Sequence, residues 1–167
     1  RNINLNSLFS ELYAIFIQEK SNKNKSHIEL IMNTPEKDEK AIVFVDDDRV
    51  RQILYNLISN SIKFTENGTI TFGYQVQNDK TLFYVEDTGI GIRKEKQNVI
   101  FDAFRQEDES TTRKYGGTGL GLSISKRIIE YFGGEIWLES EPCLGTKMFF
   151  TIPLVQKVNK LIDVPIK

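Results

Sequence analysis

Leu5, Leu8, Phe9, Leu12, Ile15 and Phe16 recur at steps of three and four, so residues 5 to about 19 are expected to form an amphipathic helix. A polar break at 21–25 ends it. Ile28, Leu30 and Met32 alternate as a short strand, and Pro35 with the charges of 36–40 makes an exposed loop. The apolar run 41–45 reads as a second strand that stops at Asp46, Asp47 and Asp48, where an aspartate can cap the next helix. That helix, 48 to about 64, has two faces of different kinds. Val50, Ile53, Leu54, Leu57, Ile58, Ser61 and Phe64 share one side at about 100° per residue, while Gln52, Asn56, Asn60 and Lys63 share the other.

Beyond the turn at Glu66, Asn67 and Gly68, period-two alternation over 69–77 and 81–87 predicts a hairpin joined through 78–80. A glycine loop follows at Asp87, Thr88, Gly89, Ile90 and Gly91, and then a short helical stretch through Val99, Ile100, Phe101 and Phe104. Residues 105–116 are polar and poor in apolar anchors and read as a mobile lid. Leu120, Ile124, Ile128 and Phe132 give another helix, with Gly133 as its stop. Ile136 and Leu138, then Met148, Phe150 and Ile152, alternate as two strands around the turn 142–145, and the pattern decays after Pro153. The expected organisation is one domain over 1–153 and a tail or linker over 154–167.

Composition narrows the function classes. Lys+Arg of 22 against Asp+Glu of 23 leaves a net charge of −1, so no basic field draws the chain to nucleic acid or an anionic membrane. The single cysteine, Cys143, cannot form an internal disulfide, and no Cys/His cluster has zinc spacing; both fit a reducing compartment, and the expected location is cytoplasmic. No apolar run approaches the roughly 20 residues that cross a bilayer. With neither an initiator Met nor a signal-peptide pattern at Arg1, the chain is expected to be a monomeric piece of a longer protein, any membrane anchor lying outside it.

Three features carry chemistry. Gly116, Gly117, Gly119 and Gly121 fall within six positions and run into a helix, where glycine lets backbone N–H groups turn to a ligand and the helix N-terminus adds positive dipole. Phosphate oxygens are the ligand this suits; a flexible turn is the alternative. On the polar helix stripe, an amide oxygen of Asn60, supported by Asn56 one turn earlier, can ligate a magnesium ion already bound to phosphates. Lys63 on the same face can reach a phosphate as a point charge. A solvated amide face and an ordinary exposed lysine are the alternatives. Asp87 ends an apolar strand before two glycines, where a carboxylate can accept the exocyclic N–H of an adenine while Gly89 and Gly91 let the ring approach; a simple turn aspartate is the other reading.

Together these segments resemble the boxes of sensor histidine kinases. Asn56-Leu-Ile-Ser-Asn60-Ser-Ile-Lys63-Phe-Thr65 is similar to the N box, Asp87-Thr-Gly-Ile-Gly91-Ile to the G1 box, Ile100-Phe101-Asp-Ala-Phe104-Arg-Gln106 to the F box, and Gly116-Gly-Thr-Gly-Leu-Gly121-Leu-Ser-Ile-Ser-Lys126 to the G2 box. Order and spacing agree over roughly 5–153. The resemblance is to the catalytic and ATP-binding domain of these kinases, within the gyrase and histidine-kinase ATPase superfamily. It implies the Bergerat fold, an α/β two-layer sandwich with a mixed sheet packed on three main helices. It implies cofactors ATP and Mg²⁺, with Asn60 on the metal, Lys63 on phosphate and Asp87 on adenine. It further implies closure of the backbone of Gly117, Thr118, Gly119, Leu120 and Gly121 on the phosphates, and Thr146 near the base through water. Phe101 and Phe104 would anchor the lid or simply join the core, and Arg113, Lys114 and Tyr115 sit where the lid could touch phosphate or ribose. Ser61 stands where alanine is common, a small change on the apolar face expected to be tolerated.

In the same superfamily, ATPases and serine kinases are expected to carry a glutamate base where this chain has Asn56. Water and serine must lose a proton to attack, whereas a neutral imidazole already has its lone pair. Phosphoryl transfer to histidine is therefore the expected activity, with a nucleotide-gated interaction module as the alternative and a stand-alone ATPase lacking its base. The only histidine, His27, loosely echoes a phosphoacceptor box but is out of register and at the start of a predicted strand. The acceptor is expected on a separate dimerisation domain, with a response regulator or fused receiver downstream.

Overall fold

The computed structural model describes residues 1–35, 37, 40–102 and 121–154. Helix α1 spans Leu5–Asn22 and starts where the Asn4 side chain accepts a hydrogen bond from Ser7 N at 3.1 Å. Leu5, Leu8, Phe9, Leu12 and Phe16 are its buried stripe, whereas Ile15 stays exposed. The helix runs into the polar break, because Gln18 Nε2 bonds Asn22 Oδ1 and Lys20 folds back to donate to Ser26 O.

Helix α2, Asp47–Phe64, is capped by Asp46, whose carboxylate accepts from Arg49 N at 3.2 Å. Acidic residues in the first turn suit the positive end of the helix dipole. Asp47 there also pairs with Arg1 at 2.8 Å and Arg51 at 3.7 Å. At the other end Lys25 Nζ donates to the carbonyls of Ile62 (2.7 Å) and Lys63 (3.2 Å), satisfying acceptors that the last turn leaves open. Helix α3 is Gly121–Tyr131, and Gly133 ends it in the left-handed region at φ +79°.

A five-stranded mixed sheet lies under the helices in the order β2 (Glu29–Asn33), β4 (Thr69–Val76), β5 (Lys80–Asp87), β7 (Gly145–Pro153) and β6 (Ile136–Glu141). Only the β2–β4 pair is parallel. A separate two-stranded ribbon pairs β1 (Asn2–Asn4) with β3 (Ile42–Phe44), a partner for the second predicted strand that the hydropathy pattern does not announce. The expected helix through 99–104 is not what forms over its described part. A 3₁₀ turn occupies Lys94–Lys96 and successive tight turns bond Val99 N to Lys96 O and Asp102 N to Val99 O. The next position, Ala103, and Phe104 lie outside the described residues.

The core fills the space between the layers. Phe9 of α1 stacks on Phe72 of β4 at 5.4 Å and meets Tyr74 edge-on, while Phe83 and Phe150 stack across β5 and β7 at 4.6 Å. Burying side chains of this size stabilises by about 1.5–3 kcal/mol each. The Tyr74 hydroxyl donates to Asn6, so its polar tip is satisfied although the ring is buried. Helix α2 packs between α1 and α3 and crosses β4 and β5, so its C-terminal half lies over the sheet end where Asp87 and Thr146 pair. Of the expected tail, Leu154 is described, its N–H bonded to Asp79 O; residues 155–167 lie outside the described set.

Candidate nucleotide site

Period-two alternation on β5 decides where Asp87 points. Phe83 and Val85 face the helices, so Asp87, in step with them, does too, and Thr146 opposite it on β7 shares that face. The carboxylate is half-buried and answers three donors: Gly89 N (3.0 Å) and Thr146 N (3.3 Å) on Oδ1, and the Ser61 hydroxyl (2.9 Å) on Oδ2. Burial pushes the Asp87 carboxyl above its ordinary value; the three donors pull the other way, and the neighbouring charge of Glu86 adds to the rise. Thr146 Oγ1 is tied to Ser140 Oγ at 2.8 Å.

The loop after Asp87 is stitched to both sides. Ile90 N donates to Phe64 O at the end of α2, Cys143 N to Ile90 O, and Ile92 N to Ser140 Oγ. A Cβ on Gly89 would fall 2.4 Å from Phe64 O, and one on Gly91, at φ +70°, 2.1 Å from Glu141 O. These glycines therefore make room for the protein's own backbone at α2 and at the 142–145 turn. Cys143, at φ +66°, holds the tip of that turn with its thiol exposed.

Helix α2 presents Asn56, Asn60 and Lys63 in successive turns, all partly exposed. Asn56 Nδ2 donates to Gly121 O (3.4 Å) and Ser125 Oγ (3.3 Å), so this amide ties α2 to the first turn of α3. Asn60 has no hydrogen-bond partner among the described residues, which leaves its amide available. No carboxylate pairs with Lys63 among them either; its ammonium lies 5.4 Å from the Phe64 ring, and burial, with Lys23 nearby, lowers its pKa. A cation without an acid beside it, an amide without a partner and a carboxylate with spare acceptor capacity thus share one end of the molecule. Thr65 Oγ1 beside them is buried without a partner. This donor set suits a nucleotide with an oxygen-ligated cation: one amide oxygen for the metal, ammonium for phosphate, carboxylate for a base N–H.

Tyr115, Gly117, Thr118, Gly119 and Leu120, with Phe104, Arg113 and Lys114 and the expected lid, lie outside the described residues. Gly121 is described and opens α3 against Asn56. Phe101 packs against the core with Lys126 over its ring. His27 stands exposed just before β2, with Nε2 2.7 Å from Glu66 O. Ser61, where the change from alanine was expected to be tolerated, is 5% exposed on the apolar face and its hydroxyl donates to Asp87. The signal in the sequence was a polar residue on an otherwise apolar stripe.

A family model described as histidine kinase-, DNA gyrase B-, and HSP90-like ATPase matches residues 45–156, and the chain belongs to that family. It is 42% identical over 132 residues to the sensor histidine kinase WalK of Bacillus subtilis (strain 168), an overlap covering 77% of this chain and 21% of WalK. This chain thus spans about a fifth of that relative's length. The catalytic domain of the histidine kinase ThkA, in a nucleotide-free form, superposes with a TM-score of 0.77 at 34% identity, covering 92% of this chain and 95% of that one. Full-length ShkA in complex with AMPPNP gives a TM-score of 0.77 at 27% identity over 92% of this chain and 31% of that one. Helices on one face of a mixed five-stranded sheet are the Bergerat fold expected from the motifs.

Proposed function

We propose that the chain binds MgATP at the α2, β5 and β7 end and donates the γ-phosphoryl group to a histidine on a separate dimerisation domain, in two-component signalling. The observation that carries this is the set at one sheet end: among the described residues Asn60 has no hydrogen-bond partner and Lys63 no acid beside it, and Asp87 is fixed by three donors. In this reading Asn60 Oδ1 holds Mg²⁺, which when bound neutralises phosphate charge. Lys63 contacts phosphate, Asp87 accepts the adenine amino group, and Thr146 lies beside the base. Gly89 and Gly91 shape the loop under it, while Tyr115 and the backbone from Gly117 to Gly121 contribute phosphate contacts. A nucleotide analogue bound to ShkA supports the ligand class.

Asn56 supports the reaction class. Its amide is neutral, engaged with Gly121 and Ser125, and unable to take a proton from water or serine. A neutral imidazole attacks without that help, so positioning and charge neutralisation suffice. The domain acts in the cytoplasm, where ATP is present, on the dimerisation domain of its own parent, and a response regulator or receiver takes the phosphoryl group onward.

The test is to mix the purified chain with a dimerisation domain bearing its histidine and γ-labelled ATP. Acid-labile label on that histidine is the expected result. Nucleotide binding with no label would leave only a nucleotide-gated interaction module.

A further inference from the structure

Asp87 Oδ1 is filled: two backbone N–H groups, from Gly89 at 3.0 Å and Thr146 at 3.3 Å, occupy its acceptor positions. Oδ2 receives one donor, the Ser61 hydroxyl at 2.9 Å, and so keeps one lone pair. Oδ2 is thus the oxygen with capacity for a ligand, and Ser61 is the donor that holds it directly while Gly89 and Thr146 hold Oδ1. Ser61 can hold it firmly. Its side chain is 5% exposed, it lies on the buried face of α2 between Ile58 and Ile62, and α2 is fixed at this end by Lys25 on the Ile62 and Lys63 carbonyls. With its proton committed to Oδ2, the hydroxyl also favours a carboxylate that only accepts.

The geometry points to Ser61 as a positioning residue that sets base specificity: it aims Asp87 Oδ2 as an acceptor for a purine carrying an amino group, and against one carrying a carbonyl there. This rests on the nucleotide reading above and deepens it. An amino group at the ring position facing Oδ2 donates to the open lone pair; an oxo group sets acceptor against acceptor, with no proton between them. Alanine at 61 removes the only donor that the described residues give Oδ2, and the rotation of the carboxylate about Cβ–Cγ is then held from Oδ1 alone.

The experiment compares ATP with inosine triphosphate, which has the same ribose and phosphates but an oxo group in place of the amino group. Binding of both is titrated by calorimetry to the wild-type chain and to Ser61→Ala, with melting of the nucleotide-free proteins as a check on folding. Wild type is expected to prefer ATP. Ser61→Ala is expected to bind ATP roughly tenfold or more weakly, the scale of a hydrogen bond to a charged group, and inosine triphosphate almost unchanged. Ser61→Cys keeps the shape with a weaker donor and gives a smaller loss confined to ATP; it carries the test if the alanine variant does not fold. Equal losses for both nucleotides, or none for ATP, overturn the positioning role while leaving the nucleotide site intact. Failure of wild type to bind either nucleotide overturns the site itself, and the inference with it.

Discussion

The two ends of α2 are built on opposite rules. At its N-terminus Asp46 caps Arg49 N, and Asp47 is held by Arg1 and Arg51, so charge meets its complement inside the protein. At its C-terminus, among the described residues, Lys63 faces no acid and feels Lys23, and Asn60 has no partner; the Asp87 carboxyl is pushed upward by burial. One end closes its electrostatics to hold the fold; the other leaves them incomplete, which is how a ligand of matching chemistry can be recognised. The open end does not loosen the helix, because α2 is anchored by its apolar face, where Ile53, Leu54 and Ile58 are fully buried.

Substitutions at the two ends should separate these roles. The largest effect is expected for Asn60→Ala: Mg-dependent ATP affinity falls by more than about 100-fold, since loss of even an indirect support of a metal ligand costs about 10–100-fold. The melting temperature should stay near wild type, because no hydrogen bond among the described residues is lost. Unchanged affinity in a magnesium titration would remove Asn60 from the metal.

Asp87→Asn comes next, with ATP weakened by roughly tenfold or more and inosine triphosphate much less affected. It also has a pH signature. The Asp87 pKa is higher folded than unfolded, so this group's stabilisation is complete below the unfolded aspartate value and lost as pH rises through the folded one. Relative to wild type, Asp87→Asn should therefore gain stability as pH rises through that window, seen in melts across about pH 3 to 8. Wild-type ATP binding should weaken as pH falls through the folded value, because a protonated carboxyl loses acceptor capacity. A variant that tracks wild type at every pH would mean that burial is not setting this carboxyl.

The smallest effect belongs to the closed end. Asp46→Ala should cost about 1 kcal/mol in a denaturant titration through loss of the cap, and leave ATP affinity within error. A matching loss of affinity would show that the two ends of α2 are not independent.

What was legible follows from what is local. The two faces of α2, the β4–β5 hairpin and the Gly133 stop each have a period or a residue type that acts within a few positions. Asn56, Asn60, Lys63 and Asp87 were visible because amides, a lysine and an aspartate stood at helical or strand-end spacing. Strand β1 was not, since its three residues owe their conformation to Val43 and its neighbours some forty positions on. The parallel step from β2 to β4 likewise has no local mark. Over the described residues up to 102, tight turns follow the 3₁₀ turn at Lys94 in place of the expected helix, with Val99 N and Asp102 N bonded three residues back and not four, a choice that the apolar positions at 99–101 do not reveal. The apolar face of Ser61 follows from helical spacing, while its partner Asp87, 26 residues away on another element, has no local mark.

The 142–145 turn gives this chain a ready point for observation. Its one cysteine, Cys143, is exposed at the tip, and the backbone N–H of the same residue is bonded at 2.7 Å to Ile90, between the two glycines of the Asp87 loop. A thiol-reactive dye would attach there once per molecule with no residue changed, placing a reporter one backbone hydrogen bond from the loop that follows Asp87.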